Sequence, residues 1–214
     1  MAQQIYGRNL NWRAGGLEVD APWLFQENYR NTKQIAKLAL SISQMPYYAD
    51  AADLVEPHDP TADGPLPVLV DAGTAAREAE FVAQQAIRFG KNQSVGVFVM
   101  PGCEWLFRRH LPRDAVQIDR NLNRWPEGPG IRFGTINSAK GLEFDLVILP
   151  SLGAATVPDP KFVHAVGLSA AAERDGRLLY IGVSRARARL VLTYSGSLTT
   201  LLPAEWSLYQ GMKL

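Results

Sequence analysis

Residues 130–150 read GIRFGTINSAKGLEFDLVILP. Two apolar runs, 131–136 and 146–149, flank a polar elbow, Asn137-Ser138-Ala139-Lys140-Gly141, which leads into Leu142-Glu143-Phe144-Asp145. An unbroken run such as Leu146-Val147-Ile148-Leu149 suits a strand buried on both faces, as in a parallel sheet. The elbow gathers a hydroxyl, an amide, an ammonium, a glycine and a carboxylate within a few residues. Open α/β sheets bind ligands at the carboxyl ends of their strands, so the elbow is expected there, suited to phosphate or sugar contacts. The same composition also fits an ordinary solvated turn.

The flanking chain supports the parallel-sheet reading. Trp23-Leu24-Phe25 is a short apolar run with strand character. Asn31 or Thr32 can cap a helix whose apolar face is Ile35, Leu38, Ala39 and Ile42, at helical spacing. Residues 45–67 form a loop punctuated by Pro46, Pro57, Pro60, Pro65 and Pro67. Strands are then expected at 68–70, 95–100 and 115–118, and helices at 75–89 and 104–111. A polar connection carrying Trp125 covers 121–129. After the central stretch come a second loop at 153–163, a helix over 170–188 and a last strand at 190–194. This alternation predicts an α/β fold: a mainly parallel sheet of about six or seven strands with helices on both faces. Residues 135–138 and Arg185 are expected near the carboxyl edge of that sheet or the face beside it.

Composition narrows the function classes. The chain has 214 residues, 47% of them apolar, enough for one α/β domain with a full core. Lys+Arg number 22 and Asp+Glu 21, for a net charge of +1, so any nucleic-acid contact must come from a local patch. The single cysteine, Cys103, cannot form an internal disulfide, and the three histidines have no metal-ligand spacing. No run approaches a membrane span and no signal pattern opens the chain, so no membrane partner is expected and the cytoplasm is the default compartment. The Gly90-Lys91 pair follows a helix and lacks the rest of a G-x-x-x-x-G-K-[ST] loop; it is read as a helix C-cap glycine with a dipole-complementing lysine.

Two further stretches carry chemistry. In Glu27-Asn28-Tyr29-Arg30-Asn31-Thr32, an aromatic beside an arginine at a helix start can stack a base and reach a phosphate. In residues 177–189, RLLYIGVSRARAR, apolar residues anchor the segment while Arg185 and Arg189 lie four apart on one helical face. A guanidinium held on a packed helix suits an arginine finger for phosphoryl transfer; a solvated basic helix end is the plainer alternative.

Taken in order, these stretches resemble the C-terminal motor region of superfamily 1 DNA helicases of the UvrD/Rep type. Gln3-Gln4-Ile5-Tyr6 looks like the end of that family's motif III, Asn28-Tyr29-Arg30-Asn31-Thr32 like motif IV, residues 134–145 like motif V with its extension, and residues 179–187 like motif VI. The resemblance implies a RecA-like, three-layer α/β/α fold. It implies that Arg185 and Arg30 act on the transferring phosphate of ATP. Gln3 would sense the γ-phosphate, Tyr29 would stack on adenine and Glu143 would hold the ribose. Thr135, Asn137 and Ser138 would lie along single-stranded DNA. The implied cofactor is ATP with Mg2+, bound mainly by a first RecA-like domain of the same protein, and the implied partners are that domain and single-stranded DNA.

Departures qualify the match. Asn137 stands where the family usually has histidine, and Ser184 where threonine is common. Trp12-Arg13 comes later than the family's aromatic-Arg pair. The strand units between 68 and 118 occupy the interval where the family often inserts a large accessory domain. Residues 1–22 are expected to be an arm carrying the motif III remnant, and 23–214 the second RecA-like domain. No Walker A or B segment is present, so the isolated chain is expected to be inactive, as a fragment of a longer helicase. The rival reading is a non-catalytic remnant that binds DNA or a partner.

Overall fold

The structure, a computed structural model, describes residues 31–48, 62–119 and 127–214. The described strands are β1 (Val68–Asp71), β2 (Ser94–Val99), β3 (Val116–Gln117), β4 (Gly130–Thr135), β5 (Phe144–Leu149), β6 (Ala186–Tyr194) and β7 (Gln210–Lys213). They form one sheet in the order β3-β4-β2-β5-β6-β1-β7, and every pairing between these strands is parallel. The helices are α1 (Lys33–Ser43), α2 (Ala75–Gly90), α3 (Glu104–Arg108), α4 (Pro160–Val166) and α5 (Leu168–Val183). The expected α/β/α layering is therefore present.

Alternation along the central strands feeds two cores. Val147, Leu149, Leu190 and Leu192 join Ile35, Leu38 and Ile42 of α1 and Leu178, Leu179 and Ile181 of α5 on one face. Leu146, Ile148, Val95, Val97 and Val191 join Ala79, Val82, Ala83 and Ala86 of α2 and Phe107 of α3 on the other. The faces read from the sequence for α1 and α2 are the buried ones. Thr32 is the N-cap of α1 by position, yet its hydroxyl makes no capping bond. Residues 62–64 serve that helix end instead: Lys33 N–H donates to the Ala62 carbonyl at 2.9 Å, and the Gly64 N–H donates to Gln34 Oε1 at 2.8 Å.

Several expectations are corrected. The helix expected over 170–188 is two elements: α5 ends at Val183, and β6 begins at Ala186. Arg-Ala-Arg-Ala-Arg has good helix propensity, but pairing of this segment with β5 overrides it. The strand at 190–194 is longer and is not the last. The exposed β7 has no apolar alternation and exists through its pairing with β1. The loop at 153–163 contains the start of α4, signalled by Pro160 at the first helical turn after Asp159, whose carboxylate accepts from Lys161 N–H at 2.9 Å. Gly90 is the last residue of α2 and not a left-handed cap; Lys91 is the C-cap in right-handed helical geometry, and Ile131 packs where a Gly90 side chain would stand.

Two tertiary features hold the core elements in place. Tyr47 lies across Gly176 of α5, 2.0 Å from the position a Cβ would take, and its hydroxyl donates to the Leu201 carbonyl at 2.6 Å. Glu78 of α2 is buried, and its Oε1 accepts from Ser151 N–H at 2.7 Å and from Thr193 Oγ1 at 2.6 Å. That carboxylate supports Ser151, which holds φ 61° just after β5.

Candidate functional site

The expected site residues that the structure describes divide between the two ends of the sheet. Thr135 ends β4 opposite Val99 at the carboxyl edge. A short 3-10 turn, Ile136–Ala139, follows, tightened by Ser138 Oγ donating to the Thr135 carbonyl at 2.7 Å. Thr135, Asn137 and Ser138 line a groove of ≈ 530 Å³, together with Glu104, Gln117 and Asp119 from neighbouring elements. Among the described residues its lining offers hydroxyls, amides and two carboxylates, with no lysine or arginine. Such a surface suits sugar hydroxyls and base edges better than phosphates. The sequence reading found the β4 side of this groove. Glu104, Gln117 and Asp119 carried no local signal, because only the sheet brings them alongside.

The chain then crosses from one edge of the sheet to the other. Gly141 turns it with φ +83°, a conformation that favours glycine, and Leu142 N–H donates to the Ala139 carbonyl at 3.0 Å. Glu143 is exposed, and Phe144 opens β5 at the amino edge. There Phe144 N–H donates to the Arg185 carbonyl at 3.0 Å. Arg185 occupies the two-residue turn between α5 and β6, and its side chain is 1% exposed. Its Nε donates to the Ile181 carbonyl at 3.1 Å, Nη2 to Ser184 Oγ at 3.1 Å and Nη1 to the Leu142 carbonyl at 3.4 Å. The buried Asn31 completes the junction: its Nδ2 donates to the carbonyls of Ser184 at 3.2 Å and Ala186 at 2.5 Å.

Two expectations about Arg185 are thereby corrected. It lies at the amino edge and not beside Thr135. A six-residue strand separates those edges by about 20 Å. Arg185 and Arg189 also share no helical face, since Arg185 sits in a turn and Arg189 in β6, where its guanidinium lies 5.4 Å from the Phe89 ring centre. What the fold does unite is the end of the Asn28–Thr32 stretch, the Leu142-Glu143 segment and the Ser184-Arg185 turn. Asn31 is the residue whose role sequence reasoning missed; its signal was a side-chain amide at the foot of a helix whose first turn has no acidic residue. Gln3, Tyr29 and Arg30 lie outside the described residues.

Arg185 and Asn31 are buried and hydrogen-bonded at this junction, and the carbonyls and hydroxyl that accept from Arg185 fix the guanidinium's direction. Among the described residues no group of carboxylates, histidines and cysteines is arranged to hold a metal, and no helix is long and apolar enough to cross a membrane.

Comparison with known proteins finds similarity over part of the chain. Residues 110–197 match the model of the UvrD-like helicase C-terminal domain. The chain is 33% identical over 131 residues to DNA helicase II of Rickettsia typhi, covering 61% of this chain and 20% of that protein. It is 36% identical over 70 residues to the ATP-dependent DNA helicase UvrD2 of Mycobacterium bovis, covering 33% of this chain and 10% of that protein. The chain thus spans a small part of the length of these relatives. A crystal structure of the C-terminal domain of a possible DNA helicase from Lactobacillus plantarum superposes with a TM-score of 0.59 at 24% identity, covering 86% of this chain and 98% of that one; this likeness speaks to the fold. The chain carries, over residues 110–197, a UvrD-like helicase C-terminal domain.

Proposed function

We propose that the chain is the second motor domain of an ATP-dependent DNA helicase, supplying arginines to the nucleotide and part of the track for single-stranded DNA. The observation that carries this reading is the junction at Arg185. Three segments distant in sequence meet there through hydrogen bonds from Asn31 and Arg185. Arg185 is the fixed guanidinium of the nucleotide side, and Arg30, next in the chain to Asn31, is the second. Glu143 holds the ribose, while Tyr29 stacks the base and Gln3 senses the γ-phosphate. The residues present fit a nucleotide: guanidinium donors suit phosphate oxygens, and an exposed carboxylate suits ribose hydroxyls. ATP with Mg2+, held mainly by a first RecA-like domain, supplies the phosphoryl group whose transfer drives the motor. Thr135, Asn137 and Ser138 contact the strand in the carboxyl-edge groove. Residues 136–143 join the two regions, so strand contact and nucleotide contact are ends of one short connection.

Steady-state kinetics of the intact helicase test this assignment. Groups that act on the transferring phosphoryl group affect rate more than affinity, so Arg185→Ala and Arg30→Ala should each lower kcat by roughly 10²-fold or more. Arg185→Lys should not restore it, because an ammonium lacks the planar fork. Tyr29→Ala should instead raise KM for ATP, by the equivalent of about 1–3 kcal/mol of lost stacking. A wild-type kcat in Arg185→Ala would remove the nucleotide role.

A further inference from the structure

The opposite face of the amino edge carries a second charged feature. Arg88 and Phe89 lie in the last turn of α2, Lys91 caps it, and Arg187 and Arg189 lie at the start of β6. All four cations are exposed. The Arg88 and Arg189 guanidinium carbons lie 5.3 and 5.4 Å from the Phe89 ring centre, so one half-buried phenyl ring braces both. Arg187 sits two residues before Arg189, where the pairing of β5 with β6 shifts register between Phe144 and Leu146. Such irregularities re-aim side chains. Asp145 is the carboxylate near Arg187, and both the N–H and hydroxyl of Ser94 are bound to it, at 2.9 and 2.8 Å. Burial pushes the Asp145 carboxyl up, but the Ser94 bonds and the Arg187 charge bring it below its usual range. Among the described residues none of Arg88, Lys91, Arg187 or Arg189 forms an ion pair within 4.0 Å.

The macrodipole of α2 accounts for Arg88 and Lys91 at its C-terminus, but it gives no reason for two arginines on an adjoining strand. Gathered guanidiniums repel one another unless an anion joins them. In a chain of net charge +1 this is a local concentration of the kind that binds polyanions. Arg forks held against an aromatic ring are pre-oriented donors for phosphate oxygens.

We propose that Arg88, Arg187 and Arg189 form a contact surface for the phosphodiester backbone of DNA, separate from the carboxyl-edge groove. The choice of DNA as the anion rests on the helicase reading given above. Among the described residues the groove is lined by no cation and suits bases and sugars, whereas this surface has cations and suits phosphates. The backbone can belong to a duplex or to a single strand continuing past the groove.

The test is a salt titration of the 214-residue chain with a fluorescein-labelled 20-base-pair duplex and with the matching single strand. The proteins compared are wild type, R88Q/R187Q/R189Q and T135A/N137A, each checked by thermal unfolding; the three arginines are exposed, so their replacement should leave the fold intact. Each phosphate contact contributes about 0.9 to the log–log salt slope on duplex and about 0.7 on single strands. The triple arginine variant should therefore lower the slope by roughly 2–3 and weaken binding at low salt by roughly tenfold or more on the form that uses the surface. Loss on duplex alone assigns the backbone to a duplex, and loss on the single strand alone to a continuing strand. Unchanged slopes and affinities on both forms, in a folded triple variant, overturn the proposal. If T135A/N137A alone loses single-strand binding, the groove assignment survives without this surface. If the arginine variant alone loses binding, the surface survives without the groove assignment. A wild type that binds neither form overturns both.

Discussion

Asn31 concentrates the consequences of a single side chain. Its amide nitrogen is buried and donates to two carbonyls, those of Ser184 and Ala186, on either side of Arg185. Asn31→Ala removes the donor and leaves both carbonyls without it, a change expected to cost about 1–3 kcal/mol. Asn31→Asp should cost more, because it sets a carboxylate against two carbonyl oxygens. Urea unfolding of both variants measures these losses; equal stability in wild type and Asn31→Ala would mean that the turn holds itself. Arg185 was legible in the sequence as a residue of interest, but its environment was not. Its donors go to carbonyls of Ile181 and Leu142 and to the Ser184 hydroxyl, partners that lie up to 43 positions away.

Elements with one apolar face were readable in advance, while elements defined by their neighbours were not. The buried faces of α1 and α2 repeat at helical spacing, and each matches its sequence pattern. The segment after Val183 has helix-forming residues, and pairing with β5 makes it a strand. β7 has four exposed residues and no pattern at all. α5 shows the limit within one helix, since Gly176 reads as a weak point in a helical run. In the fold it is the space that Tyr47 fills. Gly176→Ala places a methyl carbon 2.0 Å from a Tyr47 ring carbon, so Tyr47 must move and its bond to the Leu201 carbonyl must stretch or break. Overpacking of this kind costs about 1–3 kcal/mol, against about 1 kcal/mol gained from alanine's helix propensity. A net loss in the denaturation midpoint is the expected outcome; a more stable variant would mean that Tyr47 yields without cost.

At the scale of the whole molecule, chemistry is distributed over two edges of one sheet. The groove with Thr135, Asn137 and Ser138 is at the carboxyl edge, and the Arg185 junction is at the amino edge. The 214 residues contain no G-x-x-x-x-G-K-[ST] loop to cradle β- and γ-phosphates. Purified alone, the chain is expected to release no phosphate from ATP above background, with or without single-stranded DNA. DNA-stimulated turnover that co-purifies with it and disappears in Arg185→Ala would contradict this expectation. The fold class was legible because strand and helix periods are local properties of the chain: consecutive apolar residues for buried strands, spacing of three and four for helix faces. The motif residues were legible as groups for the same reason, being short runs of unusual chemistry. Their distribution between opposite edges was decided only in three dimensions. The order of strands in a sheet and the end of a strand at which a loop emerges depend on pairings between distant segments, and no local pattern encodes them. Local periodicity therefore specified the α/β layers, and the short motifs carried the resemblance that implied a RecA-like fold, while long-range pairing of β5 with β6 set Arg185 apart from the groove and beside Asn31.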